Sequence, residues 1–222
     1  MQQEIQITNS RMTTPRAAAI AGILFSLLLI TCLILIKISV PATTGEIGSS
    51  INNKWNLVEI ALNLIPFAGI AFLWFIGVVR DRLGSNEDRF FATVFLGSGL
   101  LFLAMLFASA AVAGGVISIY GKTSQELLNS DVYMFGRVLT YEIMNVYAMK
   151  MAGVFMISTC TLALRTGIFP RWMTYFGYVL ALFLIISLGF FYWAPIIFPL
   201  WVLLISAHIL RANLAHRARV AI

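Results

Sequence analysis

Five side chains stand where an apolar chain has little reason to carry them: Glu59, Asn63, Glu142, Asn145 and Lys150. The last three fall in YEIMNVYAMK (141–150), directly upstream of MAGVFMISTCTLAL. Carboxylates, carboxamides and an amine within membrane spans are the groups from which ion, proton or polar-ligand sites are built. They also serve as structural pairs. A lysine alone at mid-bilayer costs about 2.5–3.5 kcal/mol on the insertion scale, and pairing with Glu59 or Glu142, or snorkelling to the interface, relieves it. Both readings of this candidate polar cluster are carried forward.

Other site chemistry has less to stand on. The two histidines are His208, near the end of the last apolar run, and His216 beyond it, so a haem held by two facing histidines is not expected. No H-E-x-x-H, Cys/His cluster or G-x-S-x-G occurs, and LGSGL (96–100) lies in an apolar run without a P-loop lysine. Cys32 and Cys160 fall in different spans at different depths, which argues against a disulfide. No catalytic residue, metal site or cofactor is expected.

The elements that must position the five residues are membrane helices. Charged residues make up 11% of the 222-residue chain, about half the usual share, and the mean hydropathy is +0.92. Several apolar runs reach the roughly 20 residues needed to cross a bilayer, where backbone groups must bond internally and helices are selected over open strands. The expected fold class is therefore all-α, an integral membrane helix bundle of about six transmembrane helices with both termini cytoplasmic. The expected spans are 17–40, 55–79, 90–118, 134–164, 173–191 and 195–211. They form a transmembrane domain, 17–211, between a cytoplasmic tail, 1–16, and a basic cytoplasmic tail, 212–222. The first run, Ala17 to Ile36, is 20 residues, too long for a signal-peptide core of about 7–15, so it reads as a retained span despite a weak cleavage pattern at Val40-Pro41-Ala42. Residues 173–210 carry no charged side chain, but Pro195 and Pro199 in FYWAPIIFP (191–199) break them into two spans.

Orientation rests on basic residues. Arg11, Arg16, Arg80, Arg82, Arg89, Arg165, Arg171, Arg211, Arg217 and Arg219 gather at one set of span ends, against Lys37, Lys54, Lys122 and Arg137 at the other. The positive-inside rule places the arginine-rich side in the cytoplasm. The net charge of +6 is thereby a topology signal, and nucleic acid is not an expected partner. The expected partners are the lipid bilayer and a membrane-protein partner or second copy of the chain.

At about 1.5 Å per residue, Glu59 lies 21 residues from Arg80 and Glu142 lies 23 from Arg165, so both reach the outer edge of a core about 30 Å thick. Lys150, 15 residues from Arg165, sits roughly 8 Å below that edge. Glu59 and Asn63 share a face, and Glu142, Asn145 and Lys150 fall in an arc of about 140°, giving a cluster open to the outside. Pro66 is expected to loosen span two beside it.

Smaller features complete the reading. Ser85 with Asp88, and Thr123 with Glu126, form capping-box patterns, the second heading a short interfacial helix. Gly97, Ala104, Ala108, Ala111 and Gly115 form a small-residue stripe expected to seat neighbouring helices. PRAAAIAGILFSLLLI (15–30) matches PRWMTYFGYVLALFLI (170–185) at Pro, Arg, Gly, Leu, Leu and Ile, a weak internal similarity.

ALRTGIFPRWMTYFGYVLALFLI (163–185) resembles the pattern joining two late spans in an uncharacterised bacterial multi-pass inner-membrane family, a domain of unknown function. Arg165, Gly167, Pro170, Arg171, Trp172 and Gly177 carry the resemblance, RAAAIAGILFSLLLI extends it to the first span, and Met173 and Thr174 depart from it. The resemblance implies a bacterial inner-membrane protein of five to seven spans and supplies no substrate or catalytic residue. The functional expectation is a non-enzymatic accessory or sensory membrane component, with a small transporter or channel as the alternative. An enzyme acting on lipid or quinone at the outer interface is the least supported class.

Overall fold

The computed structural model describes residues 14–39, 51–83, 89–120, 131–186 and 193–220. Among these the chain is helical apart from short turns, and no strand occurs. In order the elements are α1 (Thr14–Ser39), α2 (Ile51–Leu83), α3 (Arg89–Tyr120), α4 (Asp131–Glu142), a π-helical turn (Ile143–Ala148), α5 (Met149–Thr166), α6 (Arg171–Ile186), a 3-10 turn (Ala194–Ile196) and α7 (Ile197–Val220). Five stretches are long and apolar enough to cross a membrane: Ala19–Ile36, Asn56–Arg80, Phe90–Ile119, Asp131–Thr166 and Ala194–Ala212. The sixth apolar helix, α6, has 16 residues, about 24 Å. Large apolar side chains such as Phe67, Trp74, Phe90 and Val179 point outward, more than 60% exposed, as an apolar solvent requires.

The described residues of 173–211 form two helices, α6 and α7, with the 3-10 turn before the second. Gly177 on α6 and Trp201 on α7 lie 24 residues apart, about 36 Å along one straight helix. Yet a Cβ on Gly177 would sit 2.8 Å from Trp201 Nε1, so the helices lie side by side. Pro195 stands in the 3-10 turn that starts the second, with the Ile196 amide donating to the Trp193 carbonyl at 3.1 Å. The helix α7 continues to Val220, through most of the segment expected as a tail. The expected cleavage pattern at 40–42 and both capping boxes lie outside the described residues.

The helix directions alternate. Arg165, at the end of α5, stacks its guanidinium 4.6 Å from the Phe91 ring at the start of α3. Phe169, in the α5–α6 turn, meets His208, midway along α7, at 6.3 Å between rings. These contacts share the arginine-rich side. The α5–α6 turn is built by the residues that carry the family resemblance: Gly167 takes φ of 69°, a left-handed C-cap that favours glycine, and its amide donates to the Ala163 carbonyl at 2.9 Å. The Pro170 carbonyl then accepts the Met173 amide at 3.0 Å.

At mid-depth the bundle closes on phenylalanines. Phe72 of α2 lies 4.6 Å from Phe25 of α1, 5.3 Å from Phe102 of α3, 5.3 Å from Phe155 of α5 and 5.7 Å from Phe198 of α7, ring centre to ring centre. All five rings are fully buried. Edge-on and tilted aromatic pairs of this kind contribute about 0.5–1.5 kcal/mol each beyond area burial.

One sequence expectation is corrected here. Among the described residues the small-residue stripe seats no neighbour: Ala104, Ala108, Ala111 and Gly115 are exposed, and nothing lies within 4 Å of a Cβ placed on Gly97 or Gly115. The helix α3 instead packs through Phe95, Ser98, Phe102, Leu106 and Ser109, because the rings of its neighbours need that face. Pro66 lies inside α2, which runs helical from Ile51 to Leu83, with the proline on its exposed side. The internal similarity has one structural counterpart: its matched glycines, Gly22 and Gly177, are both approached closely by α7, through Ser206 and Trp201.

Candidate functional site

Above the phenylalanine layer, on the arginine-poor side, the helices part around a chamber of about 440 Å³. The end of α1, the start of α2, the end of α3, the start of α4 and Pro195 all reach it, which fits the alternation of helix direction. Leu29, Cys32, Leu33 and Ile36 line it from α1, and Val58, Leu62 and Ile65 from α2. The α3 wall is Leu106, Ser109, Ala110, Ala113, Val116 and Ile117. The fourth wall is different in kind: Tyr133, Arg137, Thr140 and Tyr141 of α4, followed by Met144 and Asn145 of the π turn.

Each wall has a local cause. Val58, Leu62 and Ile65 recur at the spacing of one helix face. Tyr133, Arg137, Thr140 and Tyr141 do the same on α4. Two contacts hold α4 on α3. Gly136 is buried against Val116, where a Cβ would overlap the valine methyl. Ser109 Oγ donates to the Thr140 carbonyl at 3.0 Å, and Thr140 Oγ1 donates to the Gly136 carbonyl at 2.8 Å. On the opposite wall Cys32 Sγ donates to the Ala61 carbonyl at 3.2 Å, tying α1 to α2. The helix α4 packs along α3, and the chamber separates it from α2.

The Gly136 contact gives a direct test. Gly136→Leu should lower unfolding stability by about 1–3 kcal/mol, the usual range for overpacking, when the protein is melted in detergent micelles. Gly115→Ala, where the added methyl meets nothing, should leave the melting curve unchanged or slightly raised.

The π turn is the element that sequence reasoning missed. It places one extra residue in a helical turn, so everything beyond it is rotated by about one position, roughly 100°, relative to an unbroken α-helix. Asn145 Nδ2 donates to the Tyr141 carbonyl at 3.0 Å across its start. Turns of this type concentrate at functional sites because they re-aim side chains.

The five residues of the expected cluster are dispersed. Asn145 lines the chamber. Glu59 and Asn63 are exposed, one position around α2 from Val58 and Leu62 and turned away from the chamber. Glu142 is exposed at the end of α4, and Lys150, half-buried, follows the π turn whose rotation breaks the expected common face. No hydrogen bond or ion pair joins Lys150 to Glu59 or Glu142 among the described residues. Of the arginines read as topology determinants, Arg80, Arg165, Arg171 and Arg211 are exposed.

Arg137 was legible in the sequence only as a count on the outer side. A sharper signal was available: it is the one arginine at an end where the other cations are lysines, with Tyr133 and Tyr141 four residues either side. Arginine is favoured where an anion must be held bidentately. Among the described residues no group of three or more His, Cys, Asp or Glu side chains is placed to hold a metal ion.

The chamber is polarised along its length. Leu29, Ile65 and Leu106 lie about 20–26 Å from Arg16, Arg80 and Arg89 at the other-side ends of their helices, within the length of a 30 Å hydrocarbon core. Arg137, 28 residues from Arg165, lies about 40 Å along its helix, farther than the length of such a core. The floor is therefore apolar, and the rim carries a cation, two phenols and the carboxamide of Asn145. Comparison with family models, with curated proteins and with solved structures returns no match.

Proposed function

We propose that this protein is a non-enzymatic, accessory or sensory membrane component that binds a hydrophobic ligand in the chamber between α1, α2, α3 and α4. The observation that carries this reading is the chamber itself: about 440 Å³, within the range of small-molecule sites, apolar at the floor and polar at the rim. The physical logic is that of an amphiphile site, in which area removed from lipid competitors matters less than shape and the few polar contacts that fix orientation. The protein crosses the membrane six times in this reading, with both termini cytoplasmic and the chamber opening outward. A bacterial inner membrane is the proposed location, from the family resemblance.

The transporter alternative rests on one observation, a half-buried lysine with no ion-pair partner among the described residues, Lys150. Against it stands the ring cluster of Phe25, Phe72, Phe102, Phe155 and Phe198, which fills the bundle beneath the chamber. One pair of assays separates the readings. Protein in nanodiscs should bind a fluorescent single-chain acyl probe saturably, one per chain, and unlabelled acyl chains should displace it. Proteoliposomes should show no proton or cation flux above protein-free vesicles. Unsaturable probe uptake overturns the binding reading, and a flux lost in Lys150→Met installs the transporter in its place.

A further inference from the structure

Resting on the ligand-binding reading above, we infer that the chamber is a chain-length gauge: Phe25, Phe102 and Phe198 form its stop and fix the longest single acyl chain it accepts. Three parts of the chain place these rings independently. On α1 the floor residue Leu29 lies four residues from Phe25 toward the rim, and on α3 Leu106 lies four residues from Phe102 in the same sense, each one turn above its ring on the same helix face. On a third side Pro195, which also lines the chamber, precedes Phe198 by three residues, again about one turn. The three rings meet one another: Phe102 and Phe198 at 4.7 Å, Phe25 and Phe198 at 5.9 Å, Phe25 and Phe102 at 6.4 Å between centres. All three are fully buried, and the ring of Phe72 contacts each of them.

The stop works by packing. Rings set edge-on and tilted against one another are close-packed like the rest of a protein interior, and none swings aside without displacing its neighbours. The α3 wall of the chamber runs from Leu106 to Ile117, about 16 Å, close to the half-thickness of about 15 Å of a hydrocarbon core. A single chain from one leaflet therefore fits it lengthwise. Lipid is as apolar as the chamber wall, so a methylene that moves from bilayer to chamber gains little beyond packing contacts. Affinity measured against bilayer concentration thus changes little with length while the chain end stops short of the rings. A longer chain must press into the ring layer or fold back, and overpacking of this kind is costly. The chamber discriminates by exclusion of long chains, not by a growing hydrophobic gain.

The test uses the full chain in nanodiscs, with octanol, decanol, dodecanol, tetradecanol, hexadecanol and octadecanol competing for the acyl probe, each counted by its concentration in the bilayer. One head throughout isolates the chain. Displacement should be nearly constant up to one member of the series and about tenfold or more weaker beyond it. Phe102→Ala should move that cut-off to longer chains, by about one or two members, because the space left by a ring collapses only in part. Phe102→Leu, a smaller truncation, should move it the same way by less, and serves where the alanine variant does not fold. Leu106→Phe, which adds bulk at the floor one turn above, should move it to shorter chains. The opposite signs separate a gauge from general damage to the fold, which melts in detergent report. Constant displacement through octadecanol, with saturable probe binding intact, overturns the gauge and leaves the binding reading standing. A cut-off that stays in place in the folded Phe102 and Leu106 variants overturns the assignment of the stop to the three rings. Absence of saturable probe binding removes the binding reading and this inference together.

Discussion

Ala110→Trp should eliminate acyl binding while the protein still folds. Ala110 lies on the α3 wall, half-buried, one residue beyond Ser109, and faces the chamber. An indole there occupies space that the ligand chain would fill. Each buried methylene contributes about 0.8 kcal/mol, and every 1.4 kcal/mol is tenfold in affinity, so displacing two methylenes already weakens binding more than tenfold. The expected loss is larger, because a flat ring in a narrow chamber blocks the chain rather than trimming it. Folding should survive, since the chamber is open volume. Thermal melts in detergent check the fold and probe titration checks the site. Ala111→Trp, one position around the helix on an exposed face, should leave binding at the wild-type level.

The largest stability effect is expected at Phe72. Its ring touches those of Phe25, Phe102, Phe155 and Phe198, so Phe72→Ala opens a cavity where four helices meet that of α2. In soluble cores such a truncation costs about 3–5 kcal/mol. In a membrane the separated helices remain in lipid, as apolar as the core, so the transfer part of that figure shrinks and the lost packing remains. The expected destabilisation is therefore at the lower end, about 3 kcal/mol, read from unfolding in mixed micelles. Trp74→Ala removes a larger side chain, but one that faces outward and is 66% exposed, and should change stability little. Phe72 does not line the chamber, so any folded Phe72→Ala protein should bind the acyl probe normally.

The sequence made the helices visible and hid which of their faces turn inward. Runs such as 17–36 and 90–118 are apolar enough to show themselves by length, and the arginines date their ends. Within a helix in lipid, however, inward and outward faces are both apolar, so periodicity carries little information. On α2, Val58 faces the chamber and Ile60 faces out, and nothing in their chemistry distinguishes them. Polar residues were the only remaining markers. Near the rim they mislead, because Glu59 and Asn63 are solvated there without turning inward. The small-residue stripe of α3 misled in the same way, since a small side chain fits an outward face as well as a contact.

The π turn explains the other miss. Nothing in IMNVYA announces it, since it arises where the contacts of α4 with α3, fixed at Gly136 and Thr140, must be reconciled with those of α5, fixed further on at Gly153 against Ile185 of α6. A π turn absorbs such a mismatch in register. Asn145, four residues on from Tyr141, lines the chamber, and Lys150, beyond the turn, does not. The charged residue with a place in the site, Arg137, stood eight residues upstream of Asn145, where topology counting had already given it another use.

The central claim is that an acyl chain lies in the chamber with its head at α4 and its tail toward the phenylalanine layer. Photolabelling reads this directly. An acyl probe with a diazirine at the chain terminus, bound to the protein in nanodiscs, should label Leu29, Leu33 and Leu106, and the isomer with a diazirine beside the head should label Tyr133 or Tyr141. Both labels should vanish with excess unlabelled amphiphile. Labelling confined to the outward residues Phe67, Ile70 and Trp74, unaffected by competitor, would mean that the probe merely dissolves in lipid around the bundle, and would contradict the account.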